Sequence, residues 1–189
     1  MPEKGEQNRE KILQAAADLF YQHGYNNTSF SDVATASGVP KGNFYYYFKS
    51  KDELLRAVID MRKSWLTRLI AEWESEHVDP KERLRLIVML MRDNSDTNSR
   101  YGCPVGSLNV ELVKDDEDKR QLSMGLFDLL LSWSEEQFRA LGKGATAKIL
   151  SIHLMSMAQG GIMIGSIYQD KEIVIAESER INQWIETLS

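Results

Sequence analysis

SFSDVATASGVPKGNFYYYFKSK, residues 29–51, decides the fold, because it reads as helix, tight turn, helix. Ser29 is placed to cap a first helix with Asp32 three residues on, an arrangement that satisfies orphan amides and sets negative charge at the positive helix end. Phe30, Val33 and Ala34 then share one face. Ser37, Gly38, Val39 and Pro40 form the break: Gly38 supplies the positive φ at which a helix stops, and Pro40 suits the first turn of the next helix. In that second helix Phe44 and Phe48 make an i, i+4 core pair. Steps of about 100° put Gly42 and Tyr46 on the opposite face, with Asn43 and Tyr45 beside them. Two tyrosines, an asparagine and nearby Lys41 offer donors and stacking planes, and Gly42 admits close backbone approach. This face suits phosphates and the base edges of a major groove. The competing reading makes YYYF the core of a small helical domain, but three consecutive tyrosines cannot all point inward.

Outward from this stretch, the chain is that of a globular protein. Its 189 residues are 42% hydrophobic and 27% charged, enough to bury a core, and divide naturally into a small head over 1–51 and a larger body over 52–189. No 18-residue apolar run or basic-flanked apolar leader is evident, which predicts a cytoplasmic protein with no membrane partner. One cysteine and three scattered histidines, His23, His77 and His153, supply neither an internal disulfide nor ligand spacing, so the expectation is no metal and no cofactor. The net charge of −5 is unevenly distributed. Residues 1–51 carry six Lys/Arg against five Asp/Glu, so the acidic balance belongs to the body.

Periodicity predicts an all-α protein of nine helices, with no strand pattern, repeat or low-complexity tract. Residues 6–23 carry the stripe Ile12, Leu13, Ala16, Leu19 and Phe20 and stop at Gly24. Ser50 and Glu53 form a second capping box that opens a long helix to about residue 76. Asp79 and Pro80 start a helix that the polar run DNSDTNSR breaks. A short helix over 105–113 follows, then helices over 117–141, 145–168 and 173–188. An enzyme is not indicated: GKGAT at 142–146 lacks the spacing of a phosphate loop, there is no nucleophile elbow, and His153 has no partner by spacing.

In their order and spacing, FYQHGY at 20–25, TSFSDVA, SGVPKGNFYYYF and SKDELL at 50–55 resemble the DNA-binding region of the TetR family of transcriptional repressors, the AcrR-like proteins among them. The resemblance spans about residues 8–60. It implies a three-helix helix-turn-helix head, a helical body for ligand binding and dimerisation, and a ligand-responsive repressor whose partners are an operator in double-stranded DNA, a second copy of the chain and a small-molecule effector. Carried over residue by residue, it assigns phosphate or base contacts to Thr28, Ser31, Lys41, Gly42, Asn43, Tyr45, Tyr46 and Lys51. Tyr47 is turned half toward the core. The rival reading is an all-helical small-molecule binding protein that does not touch DNA; the Lys41, Tyr45, Tyr46 face speaks against it.

Three expectations concern the body. Gly160, Gly161 and Gly165 sit in an otherwise apolar helix, where each glycine costs about 1 kcal/mol and marks close approach. With the stripe Ile181, Trp184, Ile185 and Leu188 they predict a four-helix dimer interface; the alternative is a bent core helix without a partner. Trp65, Leu69, Met89, Met91, Cys103, Phe127, Trp133, Met155 and Met163 supply the adaptable apolar surface of an effector pocket, although core packing explains them nearly as well. Cys103, read as the N-cap of a helix starting at Pro104 with Arg100 three residues before, is a candidate redox or electrophile sensor, against the alternative of a small buried hydrophobe.

Overall fold

A computed structural model of the protein describes the backbone of residues 2–114 and 117–188, and the side chains of 5–40, 42–114 and 117–188. Among the described residues it is all-helical: α1 Pro2–His23, α2 Phe30–Ser37, α3 Lys41–Tyr47, α4 Lys51–Glu76, α5 Pro80–Asp93, α6 Ser95–Tyr101, α7 Gly106–Leu112, α8 Glu117–Ala140, α9 Ala147–Tyr168 and α10 Lys171–Glu186. The tenth element is the polar run expected to break the chain. Only Asn94 interrupts it, and beyond that residue the buried Asn98 amide donates to the Met91 carbonyl at 3.0 Å and keeps the path helical. Counting α5 and α6 as one interrupted helix restores the nine.

The chain forms two compact units. The first runs to Trp65 and takes in Ser107–Met124; the second comprises Leu66–Gly106 and the chain from Gly125 onward. The sequence reading put a boundary at residue 51. The first unit continues past it because Leu54, Leu55, Val58 and Ile59 in the first turns of α4 are wholly buried. Ile12, Ala16 and Phe20 of α1 also lie in its core, with Val33 of α2 and Phe44 and Phe48 at α3.

In the second unit α9 packs on α10, α5 and α6 around Trp73, Leu84, Val88, Trp133, Phe138, Leu154, Ile181 and Ile185. Most of the residues expected at a dimer contact are packed here within the chain. A Cβ on Gly161 would meet Glu177 Cβ at 2.8 Å, and one on Gly165 would meet Val174 Cγ2 at 2.5 Å, so both glycines serve the approach of α10 within one chain. Ile181, Ile185 and Leu188 are likewise buried in that core, and Trp184 stacks edge-on with His153 and lies against Phe138. The exposed side of α9 is a different row, Ile149, Ile152, Met163, Ile164, Ile167 and Tyr168, with open space beside Gly160. Among the described residues α9 alone is long and apolar enough to cross a membrane, and 39% of its most apolar window is buried.

Candidate nucleic-acid interface

The geometry of the head follows from local chemistry. The Ser29 amide donates to the Asp32 carboxylate at 2.7 Å, and the Asp32 amide donates to Ser29 Oγ at 3.2 Å, closing the capping box that opens α2. The Ser29 amide, and then its hydroxyl, hold the Asp32 carboxyl below its usual value. Gly38 ends α2 at φ 67°, a left-handed conformation that glycine adopts without strain. Pro40 proves to be the N-cap of α3 rather than part of its first turn.

On α3 the Phe44 ring packs 4.9 Å from Phe30 and 6.4 Å from Phe48, which fixes the rotation of the helix. The opposite side is therefore open: Tyr46 is 78% exposed, and Gly42, Asn43 and Tyr45 are exposed with it. Tyr47 is half-buried, its hydroxyl accepting from Asn8 Nδ2 at 3.3 Å, as its angular position required. The Lys41 side chain lies outside the described residues. Ser31 is exposed in the first turn of α2.

Two expected contact residues are placed differently. Thr28 is 3% exposed and its hydroxyl donates to the Gly24 carbonyl at 2.8 Å, so its side chain braces the turn after α1 and does not reach outward. Lys51 is half-buried. Its ammonium stands 4.2 Å from the centre of the Tyr25 ring and donates to the Asn26 carbonyl at 3.4 Å, so a phosphate would have to share it with the head's own corner. That corner also contains a contact the sequence reading missed. Glu111 of α7 accepts from the backbone amides of Tyr25 at 2.8 Å and Asn26 at 2.6 Å. With a separation of 86 residues, no local pattern announces it.

The expected pocket lining does not converge. Trp133 and Met155 are buried in the core of the second unit, Trp133 with its ring 5.4 Å from Trp73, and Leu69, Cys103 and Phe127 are partly buried against that core. Met91 is core as well. Met89 and Met163 face outward and are about half exposed, as is Trp65 in the other unit, because their positions fall on the outer sides of α5, α9 and α4. Cys103 is not a helix N-cap. Pro104 and Val105 form a turn and α7 starts only at Gly106, so the helix-end argument for an activated thiolate is lost. Its sulfur instead accepts from Gln159 Nε2 at 3.3 Å.

Residues 12–58, the helices that build this face, match the family described as bacterial regulatory proteins, tetR family. Over the longer chain, an HTH-type transcriptional regulator encoded in the lacX 3' region of Lactococcus lactis subsp. lactis is 34% identical, covering 88% of this chain and 87% of its own. The HTH-type transcriptional regulator LmrA of Bacillus subtilis (strain 168) is 32% identical over 83% and 85%. The fold is that of the crystal structure of a TetR transcriptional regulator from Chloroflexus aurantiacus, with a TM-score of 0.84 at 20% identity over 98% of this chain and 97% of that one. These relatives are named as regulators, not enzymes. A helix-turn-helix with an outward aromatic face and kinship over most of its length together place the chain in the TetR family of DNA-binding transcriptional regulators.

Proposed function

We propose that the protein is a repressor that binds a pseudo-palindromic operator as a homodimer and lets go when a small, mostly apolar effector enters the body. One observation carries the reading: Tyr46 is 78% exposed on the same seven-residue helix whose Phe44 is wholly buried. Aromatic surface held outward on a rigid, glycine-bearing helix has a use when that helix enters a groove, where Tyr and Asn donate to phosphates and base edges. Dimerisation is supported by the exposed row on α9, since contiguous exposed apolar surface on one helix side marks an interaction site. A two-fold pair would set the two α3 helices in successive major grooves, about 34–36 Å apart.

The residues this reading offers the effector are Leu69, Cys103 and Phe127, each partly buried against the body core that contains Trp133 and Met155. A ligand preferring the conformation with misplaced heads lowers DNA affinity by its differential affinity for the two states, typically about 1–3 kcal/mol. Work on chromosomal DNA puts the protein in the cytoplasm. The test is fluorescence anisotropy with fragments of the DNA flanking its own gene. The expected outcome is one two-fold site bound by two chains, with the affinity strongly reduced in Tyr46→Ala. Failure of the wild-type protein to bind any fragment overturns the proposal.

A further inference from the structure

The corner that follows α1 is held from a distant part of the chain by two helices. Gly24 turns at φ 86°, and the next two amides, of Tyr25 and Asn26, converge on the two oxygens of Glu111 in α7. Consecutive amides aimed at one acceptor make a small anion-binding concavity, and here the anion is the chain's own carboxylate. From the start of α8, the Lys119 ammonium stands 5.6 Å from the Tyr25 ring centre and 3.5 Å from Asp52. Asp52 in turn accepts the Tyr25 hydroxyl, and Lys51 lies on the other contact of the same ring. All of these residues belong to one compact unit.

We infer that Glu111 and Lys119 are positioning residues for operator binding, an inference that rests on the DNA-binding reading above. The Tyr25–Asn26 corner leads directly into the Thr28 brace and the Ser29 cap, so its geometry sets where α2 begins and hence where α3 points. Lys119 has a second effect. It opposes the charge of Asp52, a carboxylate adjacent in sequence to Lys51 that would otherwise repel an approaching phosphate. Neither residue needs to touch DNA to act.

The experiment uses the full chain, its operator fragment, and the variants Glu111→Gln, Glu111→Asp and Lys119→Met. Glu111→Gln replaces a double acceptor with one acceptor and one donor. It is expected to weaken operator binding about tenfold, the scale of one charged hydrogen bond, with the salt slope unchanged because no phosphate contact is lost. Glu111→Asp, which keeps the charge, is expected to recover part of that loss. In amide NMR spectra without DNA, the Tyr25 and Asn26 resonances should shift and exchange faster in Glu111→Gln while those of α9 hold still. If Glu111→Gln fails to fold, Lys119→Met carries the test with the same tenfold expectation. Normal wild-type binding with unaltered affinity in the folded variants, or Tyr25 and Asn26 resonances untouched in Glu111→Gln, overturns this inference alone. Absence of wild-type binding brings down the DNA-binding reading and this inference with it.

Discussion

Gly161 lets α9 lie directly against Glu177 of α10: a Cβ at 161 would stand 2.8 Å from the Glu177 Cβ and 3.0 Å from the methyl of Met91. The contact is between helices of one chain, and because no rotation of the Glu177 side chain moves its Cβ, a side chain here must push α9 away from α10. Gly161→Leu is therefore expected to destabilise the fold itself by about 1–3 kcal/mol, the usual range for overpacking. Urea unfolding followed by circular dichroism measures it. A midpoint equal to wild type would show that α9 has room the packing denies.

The other side of α9 behaves in the opposite way. Ile164 and Ile167 are exposed, and a charge there costs the isolated chain little, since surface substitutions usually fall within about 0.5 kcal/mol. In the proposed dimer the same charges would be buried without partners. Ile164→Glu with Ile167→Glu is expected to give a folded monomer by light scattering, with operator affinity greatly reduced because two heads no longer bind together. A variant that stays dimeric at micromolar concentration would move the interface elsewhere.

Phe44 and Tyr46, two residues apart on α3, separate stability from recognition. Phe44 is wholly buried between Phe30 and Phe48, and Phe44→Ala is expected to cost about 3–5 kcal/mol. Tyr46→Ala removes a ring that is 78% exposed and should leave the unfolding midpoint unchanged while weakening operator binding. Equal effects of the two substitutions on stability would mean that α3 is rotated from the orientation described.

What could be read from the sequence was whatever chemistry is local. Ser29, Asp32 and Gly38 announce a cap and a stop within ten residues, and the period of Phe44 and Phe48 fixes which side of α3 is left outside. Gly161 and Gly165 announced close approach correctly, yet a glycine says only that something comes near and not what. The same helix offers one row to α10 and another to solvent, and both are apolar. The stripe Ile181, Ile185 and Leu188 is ambiguous for the same reason, because burial within a chain and burial between chains ask for identical residues. Thr28 was misplaced because a hydroxyl suits a phosphate and a backbone carbonyl equally, and only the turn at Gly24 shows the carbonyl within 2.8 Å. Glu111 had no signal at all, since its amide partners lie 86 and 85 residues away.

The capping box that opens α2 makes the head sensitive to acid. Asp32 accepts from the Ser29 amide and from the Ser29 hydroxyl, both at 2.7 Å, and these bonds, the amide first, hold its carboxyl below the usual 3.8. A carboxyl that is more acidic in the folded chain than in the unfolded one makes the unfolded state the better proton binder. Its contribution to stability is therefore complete above about 3.8, the unfolded value, and disappears as the pH falls through the lower folded value. Asp32→Asn should be less stable than wild type at neutral pH, and the gap should close in acid. Glu117, held at about 2 by hydrogen bonds from Arg120 and Gln121, titrates in an overlapping range but equally in both proteins, so the difference between them isolates Asp32. Ser29→Ala removes a hydroxyl that both accepts from the Asp32 amide and donates to the Asp32 carboxylate. Of its loss of about 1 kcal/mol, the part from the first bond should persist at low pH, because that bond does not titrate, and the part from the second should fade with the Asp32 charge. Urea unfolding of the three proteins at pH values from about 7 to about 2.5 distinguishes the cases. A gap between wild type and Asp32→Asn that stays constant over that range would mean that the Asp32 charge contributes nothing to the cap.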